Sequence, residues 1–175
     1  MDGAARRRGA GPPELTAPRR TLLPPRPSPV PAAVPPHPGA SSPQVSARMS
    51  VAARRDTAPE VALRRALHAA GYRFRVVHPV PGNRRRSIDI AFPRARVAVF
   101  VDGCFWHGCP EHGTQPRANS DWWRAKLEAN RARDEDTDRL LREAGWQVVR
   151  VWEHEAVASA LAVVREALAT SGAGP

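Results

Sequence analysis

At 175 residues with a formal charge of +10, the chain can build one domain with a sizeable core but not two of ordinary size. The charge is shared: residues 1–50 hold seven Arg against Asp2 and Glu14, a net +5, and the rest of the chain supplies the other +5. No apolar run approaches the roughly 20 residues that a bilayer span needs, which excludes a membrane-embedded helix and places nucleic acid ahead of membrane as the partner of a basic surface.

Arg outnumbers Lys 26 to 1; coding bias accounts for this as well as guanidinium chemistry does, so no function is read from it. The two Cys are five residues apart with His nearby, a spacing that suits a metal site better than a disulfide framework. With no secretory apolar stretch before them, a cytoplasmic setting is expected.

Residues 1–42 carry eleven of the nineteen prolines and almost no periodic apolar pattern, and are expected to be a disordered Pro/Arg-rich tail. Arg6-Arg7-Arg8 and Arg19-Arg20 either touch phosphates non-specifically or are merely solvated. Met49 is a candidate internal start. An ordered domain is expected over residues 43–170, with residues 171–175 flexible. Thr57 followed three residues later by Glu60 has the form of a capping box, and Pro59 suits a first helical turn. The helix it opens places Ala62, Leu63, Ala66, Leu67 and Ala70 on one face and stops at Gly71.

Residues 72–77 then read as a strand and residues 79–86 as a basic, turn-rich loop. In residues 87–92, Ile88, Ile90 and Phe92 alternate toward one face while Asp89 points to the other. A short turn leads into Val97, Ala98, Val99, Phe100 and Val101, a continuous apolar run of the kind that forms a strand covered on both faces. Asp102-Gly103 ends it. Residues 114–120 are expected as loop, 121–144 as a long polar helix, 146–152 as a strand ending on Glu153-His154, and 155–169 as a closing helix. The order gives an α/β domain with a mixed central sheet flanked by helices.

Cys104, Cys109 and His112 offer three metal ligands on a loop too short to fold around itself. A closed tetrahedral zinc site needs a fourth. His154, at the end of a later strand, is the best candidate, with Glu111 and His107 as competitors. Asp89 on one strand and Asp102 at the end of its expected neighbour would bring two carboxylates near His107. Hard oxygen donors of this kind hold Mg²⁺, which can polarise a scissile phosphate while His107 takes a proton from water. The plain alternatives are a solvated strand residue for Asp89, a turn former for Asp102 and a helix cap for Glu60.

The stretches DTAPE (residues 56–60), DIAF (residues 89–92), VDGCFWHGCPEH (residues 101–112), the helix with Trp123, Lys126, Asn130, Arg133 and Asp134, and GWQVVRVWEH (residues 145–154) together resemble the very-short-patch repair (Vsr) endonucleases over residues 42–168. The resemblance implies a restriction-endonuclease-like fold with structural zinc. It also implies Mg²⁺-dependent nicking 5′ of the thymine in T:G mismatches left by deamination of 5-methylcytosine. Implied partners are double-stranded DNA with that mismatch, a DNA cytosine methyltransferase and a repair polymerase, for a monomer working at the nucleoid.

Carried over residue by residue, Asp89 matches the family's Mg²⁺-binding aspartate, His107 its general base, and Glu60 a glutamate that assists through water near the metal. Val101 stands where a backbone carbonyl meets Mg²⁺. Asp102 stands where the best-known member has a histidine, so it is expected to bind metal or orient water. Cys104, Cys109, His112 and His154 match the zinc ligands, with Cys and His rearranged in order. Phe105, Trp106 and Trp123, or its neighbour Trp122, resemble the wedge inserted beside the mismatch. Lys126 and Asn130, four apart on one helix face, are expected to read base edges, with Met49 nearby. The rival readings are a related nuclease with another lesion or sequence preference, and a zinc-stabilised DNA-binding module without cleavage.

Overall fold

The computed structural model describes residues 34–39, 43–44, 47, 55–114 and 116–172. Met49 and the expectations for residues 1–33 and 173–175 lie outside them. A four-stranded mixed sheet runs in the order β1 (Arg75–Val80), β2 (Asn83–Phe92), β3 (Val97–Asp102) and β4 (Gln147–Trp152). The first three strands pair antiparallel, and β3 pairs parallel with β4 from Val97↔Gln147 to Asp102↔Trp152. A parallel pair needs a long crossover, and the chain supplies it with the short α2 (Cys104–His107) and the long α3 (Ser120–Glu143).

Strand alternation assigns the two faces of the sheet. Val97, Val99, Val149 and Val151 pack with Leu63 and Leu67 of α1 (Ala58–Ala69) and with Val164 and Leu168 of α4 (Val157–Thr170). Ala98 and Phe100 face the other way, onto Leu141 of α3. The sheet is thus buried between helices on both sides, as the unbroken apolar run of β3 requires.

Several boundaries differ from the sequence expectation, and the short helix α2 at Cys104–His107 forms where a loop was expected. The first strand begins at Arg75 rather than residue 72, because Tyr72 and Phe74 are taken up by edge-on packing against Phe92, at 6.3 and 5.9 Å between ring centres. The expected basic loop is a hairpin instead: Pro81-Gly82, with Gly82 at φ +77°, turns the chain within two residues, and Val80 pairs with Asn83. Arg84, Arg85 and Arg86 therefore lie in β2. The capping box forms by half. Glu60 accepts hydrogen bonds from Asp56 N (3.0 Å) and Thr57 Oγ1 (3.1 Å), but Thr57 returns none to the helix backbone.

Candidate active site and metal centre

The site begins where the sheet comes apart. The β2–β3 ladder ends at Ile90↔Val99, and beyond it the Asp89 carboxylate stands in for a ladder partner, its Oδ2 accepting from the Val101 N–H at 3.0 Å. One cleft is lined by Asp89, Glu60, Val101, Asp102, His107, Asp134 and Arg150, with Arg85, Arg86 and Arg133 at its sides. Asp89 and His107, the two groups that hydrolysis needs together, share it. Burial pushes the Asp89 carboxyl up to about 6; the Val101 N–H opposes the rise, and the Glu60 and Asp102 carboxylates add to it. A cation placed among these oxygens would relieve that crowding, so the donor set fits a hard divalent ion.

His107 is oriented by a residue to which the sequence reading gave no role. Its Nδ1 lies 2.6 Å from Asp134 Oδ2 and 3.7 Å from Asp102 Oδ1. Burial lowers the imidazole pKa, but the Asp134 hydrogen bond and the Asp102 charge outweigh it, and the net shift is upward. With Nδ1 committed, Nε2 is the nitrogen left to exchange a proton. The spacing Asn130–Asp134, one helical turn, was the available signal for Asp134, since it puts both on the face that meets the cleft.

Asp102, expected to bind metal or to orient water, has its carboxylate paired within the protein. Asp102 is 6% exposed, and its Oδ1 and Oδ2 accept from Arg150 Nη1 at 2.7 and 2.9 Å. Arg150 also donates to Asp138 at 3.1 Å and lies over the Phe100 ring at 4.7 Å. A buried carboxylate held by a guanidinium in this way is an electrostatic support. The sequence signal was a lone Arg between Val149 and Val151 in an otherwise apolar strand.

A second, aromatic cleft opens from the first and shares Glu60, Val101, His107 and Arg133 with it. Phe105, Trp106 and Trp123 form its cluster, with ring centres 5.1 Å apart for Phe105–Trp106 and Phe105–Trp123 and 6.0 Å for Trp106–Trp123. Trp122 also lines this cleft, its ring 4.8 Å from that of Trp123 and 4.5 Å from that of His37, and its Nε1 donates to Pro35 O at 2.9 Å. Lys126 lines the cleft. Asn130 departs from expectation. It is 5% exposed and its Nδ2 donates to Trp106 O at 3.1 Å, so its amide serves the protein backbone.

Beside the clefts, Cys104, Cys109, His112 and His154 gather with ligand atoms all within 4.8 Å of one another. His154 Nδ1 lies 3.0 Å from Cys104 Sγ and 3.8 Å from Cys109 Sγ, and His112 Nδ1 lies 4.0 Å from Cys109 Sγ. These separations are close to those among donors around one tetrahedral ion, and two thiols with two imidazoles are the donor set such an ion takes. The competitors fall away: His107 turns to Asp134, and Glu111 faces the outer nitrogen of His154, Nε2, at 3.5 Å, where a carboxylate orients a ligating imidazole.

A family model described as "DNA mismatch endonuclease Vsr" matches residues 41–112. The type II nicking enzyme V.NaeI of Lentzea aerocolonigenes is 45% identical over 125 residues, covering 70% of this chain and 75% of that protein. The type II nicking enzyme V.XorIIP of Xanthomonas oryzae pv. oryzae is 44% identical over 106 residues (58% and 73%), and the DNA mismatch endonuclease Vsr of Escherichia coli is 34% identical over 113 residues (62% and 68%). Identity at this level over two thirds or more of each relative, joined to the clefts described above, leads to one conclusion: the chain belongs to the Vsr family and is a DNA endonuclease.

Proposed function

We propose that this endonuclease nicks one strand of duplex DNA on the 5′ side of the thymine in a T:G mismatch, using Mg²⁺ at the sheet opening and Zn²⁺ in the Cys/His cluster. The observation that carries the reading is the joining of two clefts, one holding Asp89, Glu60 and His107, the other walled by Phe105, Trp106 and Trp123. An enzyme that must both unstack a pair and hydrolyse a nearby phosphodiester needs these two surfaces side by side.

Asp89, with the Val101 carbonyl, would hold the divalent ion, which supplies polarisation of the scissile phosphate when bound. His107 takes the proton of the attacking water at Nε2 while Asp134 keeps the ring turned and steadies the imidazolium. Glu60 is pinned by Asp56 N, Thr57 Oγ1 and Arg64 Nη2 (2.6 Å) at the rim of both clefts, where it orders water. The rings restore stacking to bases separated at the mispair, and a mispair costs less to open than a matched pair.

The restriction-endonuclease-like fold, the domain limits at residues 43 and 170, action as a monomer at the nucleoid and a working link to a cytosine methyltransferase and a repair polymerase belong to the same reading. A second reading is favoured by the names of the two type II nicking enzymes given above, both more similar to this chain than the mismatch endonuclease of E. coli: the base context here follows a restriction-type sequence. Both are tested by nicking assays on duplexes carrying each mismatch in several contexts, labelled on each strand, with and without Mg²⁺. The T:G reading expects cleavage of the thymine strand only. Preference for another pair would retire the repair assignment and leave the nuclease.

A further inference from the structure

Phe105 and Trp106 sit on α2, a single helical turn of four residues. Such a turn has almost no stability of its own. It is closed by His107 N to Gly103 O at 3.1 Å, Gly108 N to Cys104 O and Cys109 N to Cys104 O at 2.9 Å. The flanking thiols anchor its ends at the metal cluster, yet they do not fix how far the intervening rings project. Two side chains from other elements grip its backbone. Glu153, just past the end of β4, accepts from Cys104 N at 2.6 Å, and Asn130 on α3 donates to Trp106 O at 3.1 Å.

We propose that Glu153 and Asn130 are positioning residues that bracket this turn, hold Phe105 and Trp106 at the height a DNA wedge requires, and so set how well mispaired duplex is told from paired duplex. The inference rests on the wedge reading above and adds the residues that make the wedge rigid. Glu153 is itself fixed, since its N–H donates to Asp102 O at 2.9 Å and its carboxylate lies against Gly103. It is also an exposed carboxylate lining a groove that receives DNA. A negative charge there opposes the phosphate backbone, so its place is explained by the backbone N–H it holds. Asn130, being buried, cannot exchange that carbonyl for water without cost.

The test uses the full-length, metal-loaded protein with Glu153→Ala, Glu153→Gln and Asn130→Ala. It measures nicking of a T:G duplex, binding of fully paired duplex, zinc per chain, and fluorescence of 2-aminopurine beside the mispair as a report of unstacking. Loss of the charge-assisted bond to Cys104 N in Glu153→Ala, or of the buried amide–carbonyl bond to Trp106 O in Asn130→Ala, should lower nicking and the unstacking signal about tenfold. Paired-duplex affinity should stay within about twofold and zinc should be unchanged. Glu153→Gln keeps an acceptor oxygen and should stay within about threefold of the parent. Parent-like unstacking in Glu153→Ala overturns the proposal, as does a Gln variant as poor as the Ala variant, or loss of zinc. If the parent itself nicks without any unstacking signal, the wedge reading falls and this proposal with it; a parent signal that survives both Ala variants removes the proposal alone.

Discussion

Asp89 is held by burial and by two neighbouring carboxylates at about 6 rather than in the ordinary carboxylate range, and this has a cost that can be measured. Well below pH 4, the group is protonated in both folded and unfolded chains and costs nothing. Between there and pH 6 the unfolded chain releases the proton first, so stability is lost as pH rises through that range and stays lost above it. Asp89→Asn keeps an acceptor for Val101 N without the charge. In metal-free protein at pH 8 it should therefore be more stable than the parent by on the order of 2 kcal/mol, with the gain vanishing well below pH 4. The same variant should lose at least about 100-fold in nicking. Urea titrations across pH and a nicking assay check the two halves; a variant no more stable at pH 8 would show that Asp89 is not crowded.

Gly113 offers a second residue-scale prediction. A Cβ built there would lie 2.4 Å from the Cys109 carbonyl oxygen, a backbone atom with little room to move. Gly113→Ala should therefore weaken metal retention by about tenfold or more, as loss of a ligand-orienting contact does. His154→Ala, which removes a donor, should weaken it further. Competition with a chelator, read as metal per chain, orders the three proteins; equal retention in His154→Ala would move the fourth ligand elsewhere.

At the scale of elements, the edge strand β1 carries an unexpected feature. Val77 has φ +51°, a region that a β-branched residue enters only under strain. The register Val76↔Ile90 and His78↔Ile88 puts it opposite Asp89, where β2 leaves β3. The distortion of the edge and the opening of the site are thus neighbours across one ladder. Val77 is 38% exposed, so its side chain contributes little burial. Val77→Gly should raise stability by about 1 kcal/mol, the left-handed penalty exceeding the added chain entropy. It should also slow nicking if the strain helps to part the strands. Thermal melts and single-turnover rates measure the two effects independently.

Over the described part of the molecule, the two joined clefts are lined by Arg85 of β2 and by Lys126 and Arg133 of α3, within a chain of net charge +10. If these meet phosphates, Arg85→Gln should reduce the steepness with which binding falls as salt rises, by about one phosphate contact. It should weaken matched and mismatched duplexes alike. Binding isotherms across a salt series decide it, and an unchanged slope would place the DNA path elsewhere.

How much of this was legible follows from what each feature depends on. The main helices, the mixed sheet and the candidate metal donors Cys104, Cys109 and His112 rest on periodicity, turn residues and donor chemistry, which neighbouring residues in the chain already declare; that residues 83–86 are strand, that residues 104–107 are helix and that His154 joins the three donors came from the structure. Local pattern also singled out Asp89 and His107 as candidates for hydrolytic chemistry, beside the plainer alternatives, and the structure places both in one cleft. The pattern could not show Asp134 turning His107, Arg150 occupying Asp102, Glu153 gripping Cys104 N or Asn130 gripping Trp106 O, because each joins residues 24 to 49 positions apart through atoms that have no periodic signature. The sequence by itself determined which chemical groups this protein has to spend and on which elements they ride. Only the tertiary structure decided which of them face the groove and which are consumed in holding one another, since a polar side chain brought into the interior must satisfy its hydrogen bonds there, and its partner is whatever the fold places within reach.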